Sequence, residues 1–324
     1  DVEQVAHGRV GGRAPALAEN AAPPRILHDV VHDEEVAGKV FGLDDVELAR
    51  DTGAVGVTRL GVLARHGRPH ELAQPAHRGV AVGNLLLRQS RFGLPLAEAF
   101  FRHLDPDCTI ETLVHDGDKV PAGTDLMRIE GRARALLTAE RSALNIVQHL
   151  SGIATMTQAY VTAMRGPDGN PACTLLDTRK TIPGLRVLEK YAARMGGAQN
   201  HRMGLWDAAM IKDNHVAVAG SVGEAVRRAR DAGVAQIICE VDSLDQIEPA
   251  LEAGAHHLLL DNMDPATLRA AVEQVAGRVP TEASGGVNLD TIAAKAASGV
   301  DYISVGRLTQ SAPAADIGLD FTPV

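Results

Sequence analysis

The stretch QIICEVDSLDQIEPALEAGAHHLLLD, residues 236–261, carries the pattern that decides the fold. It opens with a short apolar run, Gln236-Ile-Ile-Cys-Glu240, that ends in a carboxylate. A helical stretch follows, and a second apolar run, His257-Leu-Leu-Leu-Asp261, ends in another carboxylate. Strands that are apolar almost throughout are covered on both faces, a property of parallel sheets. The same grammar recurs in Cys173-Thr-Leu-Leu-Asp177, Ala208-Ala-Met-Ile-Lys212, Pro280-Thr-Glu-Ala-Ser284 and Tyr302-Ile-Ser-Val-Gly306. The intervals of about 20–35 residues have the size of a βα unit. Six clear units, or seven, fit a barrel or near-barrel better than a small open sheet. In such barrels the chemistry sits at the carboxyl ends of the strands. Asp177, Lys212, Glu240, Asp261, Ser284 and Gly306 fall there.

Upstream of this region the spacing predicts a helix over 94–104, with Leu96, Phe100, Phe101 and Leu104 on one side. Strands are expected from Cys108 to Val114 and from Leu126 to Glu130. A long helix is expected from Ala133 to about Met164. Leu137, Leu144, Val147 and Leu150 give it an apolar stripe, and Gly152 is expected to interrupt it. Residues 1–92 are rich in Ala, Gly, Arg, His and Val and carry one lysine, Lys39. They show no repeat and no chemical motif.

The 324 residues suffice for one large α/β domain or two ordinary ones, and 45% apolar residues supply a core. With 41 acidic against 32 basic residues the net charge is -9, which argues against a general nucleic-acid binder. Aromatics at 3% leave no platform for base stacking. No apolar run approaches the roughly 18 residues of a membrane helix, and no basic-then-apolar leader opens the chain. Cys108, Cys173 and Cys239 are far apart and show no C-x-x-C spacing. Three reduced thiols in a cytoplasmic protein are expected, with neither disulfides nor zinc.

Three clusters carry chemistry. The first is cationic: Thr178-Arg-Lys180, Asn200-His-Arg202 and Lys212 all fall at or near the mouth of the expected barrel. Arg grips planar carboxylates with paired hydrogen bonds and Lys acts on phosphate as a point charge, so Arg179, Lys180, His201, Arg202 and Lys212 point to a polyanion. The second is acidic. Glu240 and Asp261 end successive strands and have three readings: caps for the following helices, ligands of Mg²⁺, or contacts to ribose hydroxyls. The third is Ser284-Gly-Gly286, after a strand and before a helical run, with Gly306 ending the last strand. Backbone N–H groups at such turns bind phosphate, and barrels often place a phosphate at their last two strands. A phosphorylated sugar is the substrate class these clusters suggest together.

From Gly93 onward the chain resembles the quinolinate phosphoribosyltransferase family. The resemblance is carried by Leu137-Thr-Ala-Glu-Arg-Ser-Ala-Leu-Asn145, His149-Leu-Ser-Gly-Ile-Ala154, Asp177-Thr-Arg-Lys-Thr-Ile-Pro-Gly-Leu-Arg186 and Asn200-His-Arg-Met-Gly204. It continues through Ile211-Lys-Asp-Asn-His215, Glu240-Val-Asp-Ser-Leu244, Leu259-Leu-Asp-Asn262 and Glu282-Ala-Ser-Gly-Gly286. The resemblance implies an α/β protein in which a small α/β sandwich domain, residues 93–151, precedes an incomplete (β/α) barrel, residues 152–306, with a C-terminal tail at 307–324. It implies phosphoribosyl transfer from phosphoribosyl pyrophosphate to quinolinate with loss of CO₂, the step that gives nicotinate mononucleotide in NAD biosynthesis. It implies Mg²⁺, and a homodimer or larger assembly in which Arg141 enters the partner's site. Arg179, His201, Arg202 and Lys212 are then expected on the two carboxylates of quinolinate. Lys180 is expected on pyrophosphate, beside Thr178, and Glu240 and Asp261 on Mg²⁺ and ribose. Ser284, Gly285, Gly286 and Gly306 are expected on the 5'-phosphate.

Three departures from the family pattern stand out. Ile238 replaces a glutamate before Glu240. Arg307 replaces a small residue after Gly306, which adds a phosphate contact or crowds the grip. Residues 1–92 lack the family's N-terminal stretch, and the boundary at Gly93 is sharp. This leaves two explanations for an anomalous region, a diverged or replaced N-terminal segment and translation out of frame upstream of the true coding sequence, and the sharp boundary favours the second. The competing functions are a related barrel with another acceptor base and an inactive phosphate-binding barrel. The two-carboxylate cation set argues against the first, and Arg141, Lys180, Glu240 and Asp261 against the second.

Overall fold

The structure, a computed structural model, describes residues 55–62, 89–90, 93–166 and 173–323, with 55–62, 89–90 and 321–323 described by their backbone alone. The front part builds an antiparallel sheet. Strand β1 (Val55–Val62) is separated in sequence from its partner β5 (Asp125–Arg132) by β2 (Gln89–Ser90), helix α1 (Leu94–Leu104), β3 (Thr109–Thr112) and β4 (Lys119–Val120). β5 pairs on its other side with β3, while β2 and β4 form a separate ribbon. α1 starts after Gly93 with a proline in its first turn, where the ring's fixed φ suits a helix and the missing N–H costs nothing. Asp116 accepts a hydrogen bond from the Leu94 N–H at 3.2 Å and so ties the start of α1 to the β3–β4 turn.

Helix α2 (Ala133–Ala163) joins the two parts of the molecule. It packs on α1 and on helices of the barrel. The sequence places an interruption at Gly152, but the helix runs through it unbroken. Gly152 serves another purpose: a Cβ there would lie 2.1 Å from the Pro313 carbonyl oxygen. The glycine admits the returning chain. The expected stripe also needs a correction. Leu137 is 56% exposed, and Leu136 is buried in its place. At 3.6 residues per turn Leu136 lies about 20° from Val147 around the axis and Leu137 about 80°.

Behind α2 come β6 (Thr174–Leu176), α3 (Arg186–Met195), β7 (Ala209–Ile211), α4 (Asp213–Ala219), α5 (Val222–Asp231) and β8 (Ile237–Val241). Then follow α6 (Ile247–Ala253), β9 (His257–Asp261), α7 (Pro265–Val275), β10 (Thr281–Ser284), α8 (Ile292–Ala296), β11 (Tyr302–Ser304) and α9 (Arg307–Gln310). The six strands form one parallel sheet in the order β6-β11-β10-β9-β8-β7. β6 and β7 do not pair, so the barrel is incomplete. Beside β6 stands Gln199, which makes a parallel bridge to Leu176 where a seventh strand would begin.

Alternation sets what faces inward. Ile237, Cys239 and Val241 of β8 and Leu258 and Leu260 of β9 are wholly buried. The register Ile238↔His257, Glu240↔Leu259 and Ser284↔Asp261 puts the remaining residues on one common inner face. Glu240, Asp261 and Ser284 thus stand toward the mouth, with Glu282 one pleat below Ser284 and His257 two pleats below Asp261.

Residues 307–324, expected as a tail, instead form α9 and β12 (Ile317–Pro323). β12 pairs antiparallel with β1 and completes the front sheet in the order β12-β1-β5-β3. The backbone pairing that stabilises β1 therefore comes from β5 on one side and from the C-terminal β12 on the other. β1 lies inside the region expected to be anomalous. The remainder of residues 1–92, apart from β2, lies outside the described residues, and the reading-frame expectation falls there. Gly152→Ala is expected to lower stability by about 1–3 kcal/mol through overpacking against Pro313–Ala314, read as a fall in Tm without loss of helix content.

Candidate active site

The carboxyl ends of the six strands surround a cavity of about 850 Å³. Thr178, Arg179, Lys180, His201, Arg202 and Lys212 line one part of it. Glu240 and Asp261 line another, and Ser284, Gly285, Gly286, Gly306 and Arg307 a third. The structure thus brings together every site residue expected from the sequence except Arg141. That side chain lies on α2 and is 71% exposed, with its guanidinium 3.9 Å from Glu140.

The cationic wall is built from the ends of β6 and β7 and the loop between α3 and β7. Asp177, just past β6, is wholly buried and pairs with the equally buried Lys190 of α3. Its carboxylate also accepts hydrogen bonds from Asn200 Nδ2 at 2.6 Å and from the His201 N–H at 2.8 Å. Burial pushes the Asp177 carboxyl up and the Lys190 ammonium down, each against the attraction of the other. Arg186 braces the next loop: Nε donates to Thr181 Oγ1 at 3.1 Å and Nη1 to the Met203 carbonyl at 3.1 Å. Arg202 donates to the Ala208 carbonyl at 2.8 Å. Burial first, and then the charge of Arg179, lower its guanidinium pKa, against Asp207 and Glu282.

The acidic side gathers Glu240, Asp242 and Asp261, whose carboxylate oxygens lie within 4.8 Å of one another. Such an all-oxygen set suits a hard cation like Mg²⁺. Lys212 forms an ion pair with Glu240. Burial raises the Asp261 carboxyl, and Lys212 works against that. Asp242 was missed from the sequence, although it follows Glu240 by two residues and strand alternation directs both to the same side.

The third part is a turn after β10. Gly285 has φ 81° and a Cβ there would meet Asn262 Oδ1 at 2.1 Å, so only glycine fits. The Asn262 N–H donates to the Ser284 carbonyl at 3.1 Å, which joins the β9 and β10 ends. At the floor, Glu282 is fully buried and lines the same cavity. His201 Nε2 lies 3.2 Å from its Oε2, and His257 Nε2 approaches that oxygen to 3.1 Å off the axis of a hydrogen bond. Burial alone would raise this carboxyl, but His201 and His257 outweigh it and hold it at about 2.

Comparison with known proteins now decides the family. The C-terminal domain model of quinolinate phosphoribosyl transferase matches residues 153–320, and the N-terminal domain model matches residues 92–151. The chain belongs to the quinolinate phosphoribosyltransferase family. It is 49% identical over 212 residues to nicotinate-nucleotide pyrophosphorylase [carboxylating] of Mycobacterium leprae, covering 64% of this chain and 73% of that protein. It is 37% identical over 298 residues to quinolinate phosphoribosyltransferase [decarboxylating] 2a, mitochondrial, of Nicotiana tabacum, covering 86% of this chain and 81% of that one. That alignment necessarily reaches upstream of Gly93, since Gly93–Val324 is less than three quarters of the chain. The region expected to lack any family match therefore has one in part. Among solved structures, NadC from Streptococcus pyogenes superposes with a TM-score of 0.75 at 32% identity, covering 94% of this chain and all of that one. The parallel six-strand sheet with a small domain before it is the family's architecture, as the resemblance implied. Among the described residues no helix is long and apolar enough to cross a membrane.

The low value at Glu282 sets a pH dependence. A carboxyl ordinarily near 4.5 and held at about 2 contributes stability above 4.5 that is lost as pH falls toward 2. The stability advantage of the wild type over Glu282→Gln is expected to shrink across that window in denaturant titrations. An advantage that grows with acidity contradicts it.

Proposed function

We propose that this chain transfers the phosphoribosyl group of phosphoribosyl pyrophosphate to quinolinate with decarboxylation, yielding nicotinate mononucleotide, pyrophosphate and CO₂. One observation carries the reading: in a member of this family, a cationic wall, the carboxylates of Glu240 and Asp261 and a glycine turn line a single cavity. Arg179, Arg202 and Lys212, with His201 beside them, stand where two substrate carboxylates would be held. Lys180 serves the pyrophosphate, with Thr178 accepting a hydrogen bond from its backbone N–H at 3.1 Å. Ser284, Gly285, Gly286 and Gly306 serve the 5'-phosphate, and Arg307 on the same wall adds a cation to that grip.

The chemistry follows from where charge develops. Breaking the bond between ribose C1 and the pyrophosphate oxygen builds positive charge on the ring and negative charge on the leaving group. Lys180 stabilises the leaving group in a site that is already organised. Glu240 and Asp261 face the ribose and favour the cationic ring. The nucleophile is the pyridine nitrogen, so the arginines act mainly by holding it in line. Once that nitrogen is quaternary, the ring accepts the electrons released as CO₂ leaves. Mg²⁺, held by Glu240, Asp242 and Asp261, would neutralise charge on the pyrophosphate.

Arg141 is expected to complete the site of a second copy. It is exposed and does not line the cavity of its own chain, and Leu137 one turn earlier on α2 is also exposed. An outward apolar residue beside an outward arginine fits a homodimer interface. The three free cysteines fit a cytoplasmic setting.

The test is release of pyrophosphate and CO₂ from phosphoribosyl pyrophosphate, dependent on quinolinate and Mg²⁺. Chelation is expected to abolish it and added Mg²⁺ to restore it. Turnover with another pyridine acid and none with quinolinate overturns the reading. Arg202→Ala and Lys212→Ala are each expected to cost about 2–5 kcal/mol in kcat/KM by leaving a substrate carboxylate unpaired. For the shared site, Arg141→Ala and Lys180→Ala are expected to be inactive alone and to recover roughly a quarter of wild-type activity when co-assembled, since a symmetric mixed dimer keeps one intact site. No recovery from confirmed mixed dimers excludes the exchange.

A further inference from the structure

Lys295 is an unusual residue for its place. It lies on the buried side of α8 with Ile292 and Ala296, and is 7% exposed. An ammonium with so little access to water is costly, and an apolar side chain would fill the same space without that cost. Packing alone does not account for it. Burial pushes the ammonium down, and Asp261 and Asp264 pull it the other way.

What the ammonium holds is the turn between β9 and α7. Nζ donates to the Met263 carbonyl at 2.6 Å. Just before it, Asn262 has φ 54°, in the left-handed region that side chains other than glycine rarely adopt. The Asn262 N–H donates to the Ser284 carbonyl at 3.1 Å. Asn262 is thus held from both sides, through its own N–H by β10 and through the Met263 carbonyl by Lys295. Held there, its Nδ2 donates to Asp261 Oδ2 at 2.6 Å. Asp261 needs such a hold. Glu240 and Asp242 bring carboxylate oxygens to within 4.8 Å of its own, and like charges at that range repel.

We propose that Lys295 is a positioning residue for Asp261: it clamps the Met263 carbonyl, the clamp keeps Asn262 left-handed, and Asn262 fixes the Asp261 carboxylate at the cavity mouth. That Asp261 meets the phosphoribosyl substrate rests on the function proposed above; the clamp does not.

Hydrogen exchange and kinetics test it together. In the ligand-free wild type the Asn262 amide is expected to exchange about as slowly as those of Leu258–Leu260. In Lys295→Met its exchange is expected to rise about tenfold or more, with Leu258–Leu260 unchanged. Tm is not expected to fall, because an apolar side chain replaces a buried charge. KM for phosphoribosyl pyrophosphate is expected to rise about fivefold or more while KM for quinolinate changes less than about twofold. Lys295→Arg, which keeps a cation, is expected to recover part of that loss. In an Asn262→Gly background Lys295→Met is expected to add less than about twofold, since it acts through Asn262. Unchanged exchange at Asn262, an equal rise along β9, equal changes in both KM values, or additive losses in the double variant each overturn the proposal. If the Lys295 variants do not fold, fast exchange at Asn262 in the wild type overturns it and slow exchange supports it. A wild type that does not turn over phosphoribosyl pyrophosphate defeats the function reading and leaves the exchange result intact.

Discussion

A negative charge with no access to water holds the cationic wall in place. Asp177 stands at the carboxyl end of β6 and draws Lys190 from α3, Asn200 from the loop before β7 and the backbone of His201 onto one carboxylate. Burying both charges is unfavourable in itself, and only the full set of partners offsets it. The segment from Gln199 to Arg202 therefore has one arrangement beside β6. That segment lies along the free edge of β6, so the same interaction borders the open side of the barrel and presents Arg202 to the cavity.

The cavity separates charge by strand. The cations come from β6, β7 and the loop between them, the carboxylates from β8 and β9, and the glycine turn from β10. A ligand with carboxylates at one end and phosphates at the other meets opposite demands along its length. The chain's net charge of -9 does not oppose this, because low-dielectric walls let local charges dominate inside a cleft. Lys212 bridges the two halves through its pair with Glu240.

Much of this was legible from local pattern. Apolar runs that end in a polar residue located all six strands, and strand ends located Lys212, Glu240, Asp261 and Ser284. Other residues were less legible for identifiable reasons. Asp242 lies one residue past the end of β8, and reading only terminal residues passed over it. Glu282 lies one pleat below the mouth and His257 two, where a sequence suggests apolar filling. Leu137 and Leu136 are adjacent leucines, and only the helix phase distinguishes the buried one. Gly152 looked like a helix breaker because the chain that crosses it, Pro313–Ala314, is distant in sequence.

The sequence by itself determined the parallel α/β class, the six strands and the identity of most charged groups in the site, because each of these depends on residues within one βα unit. Tertiary structure decided the rest. Backbone hydrogen bonding between β1 and β12 turned an expected tail into a strand of the front sheet. The fold brought the carboxylates of Glu240, Asp242 and Asp261, from the ends of two strands, to within 4.8 Å of one another. It also joined Glu282, His201 and Arg202 into one chain of contacts across the cavity floor. These arrangements depend on pairings between residues far apart in the chain, and no local pattern of side chains encodes the distance between them.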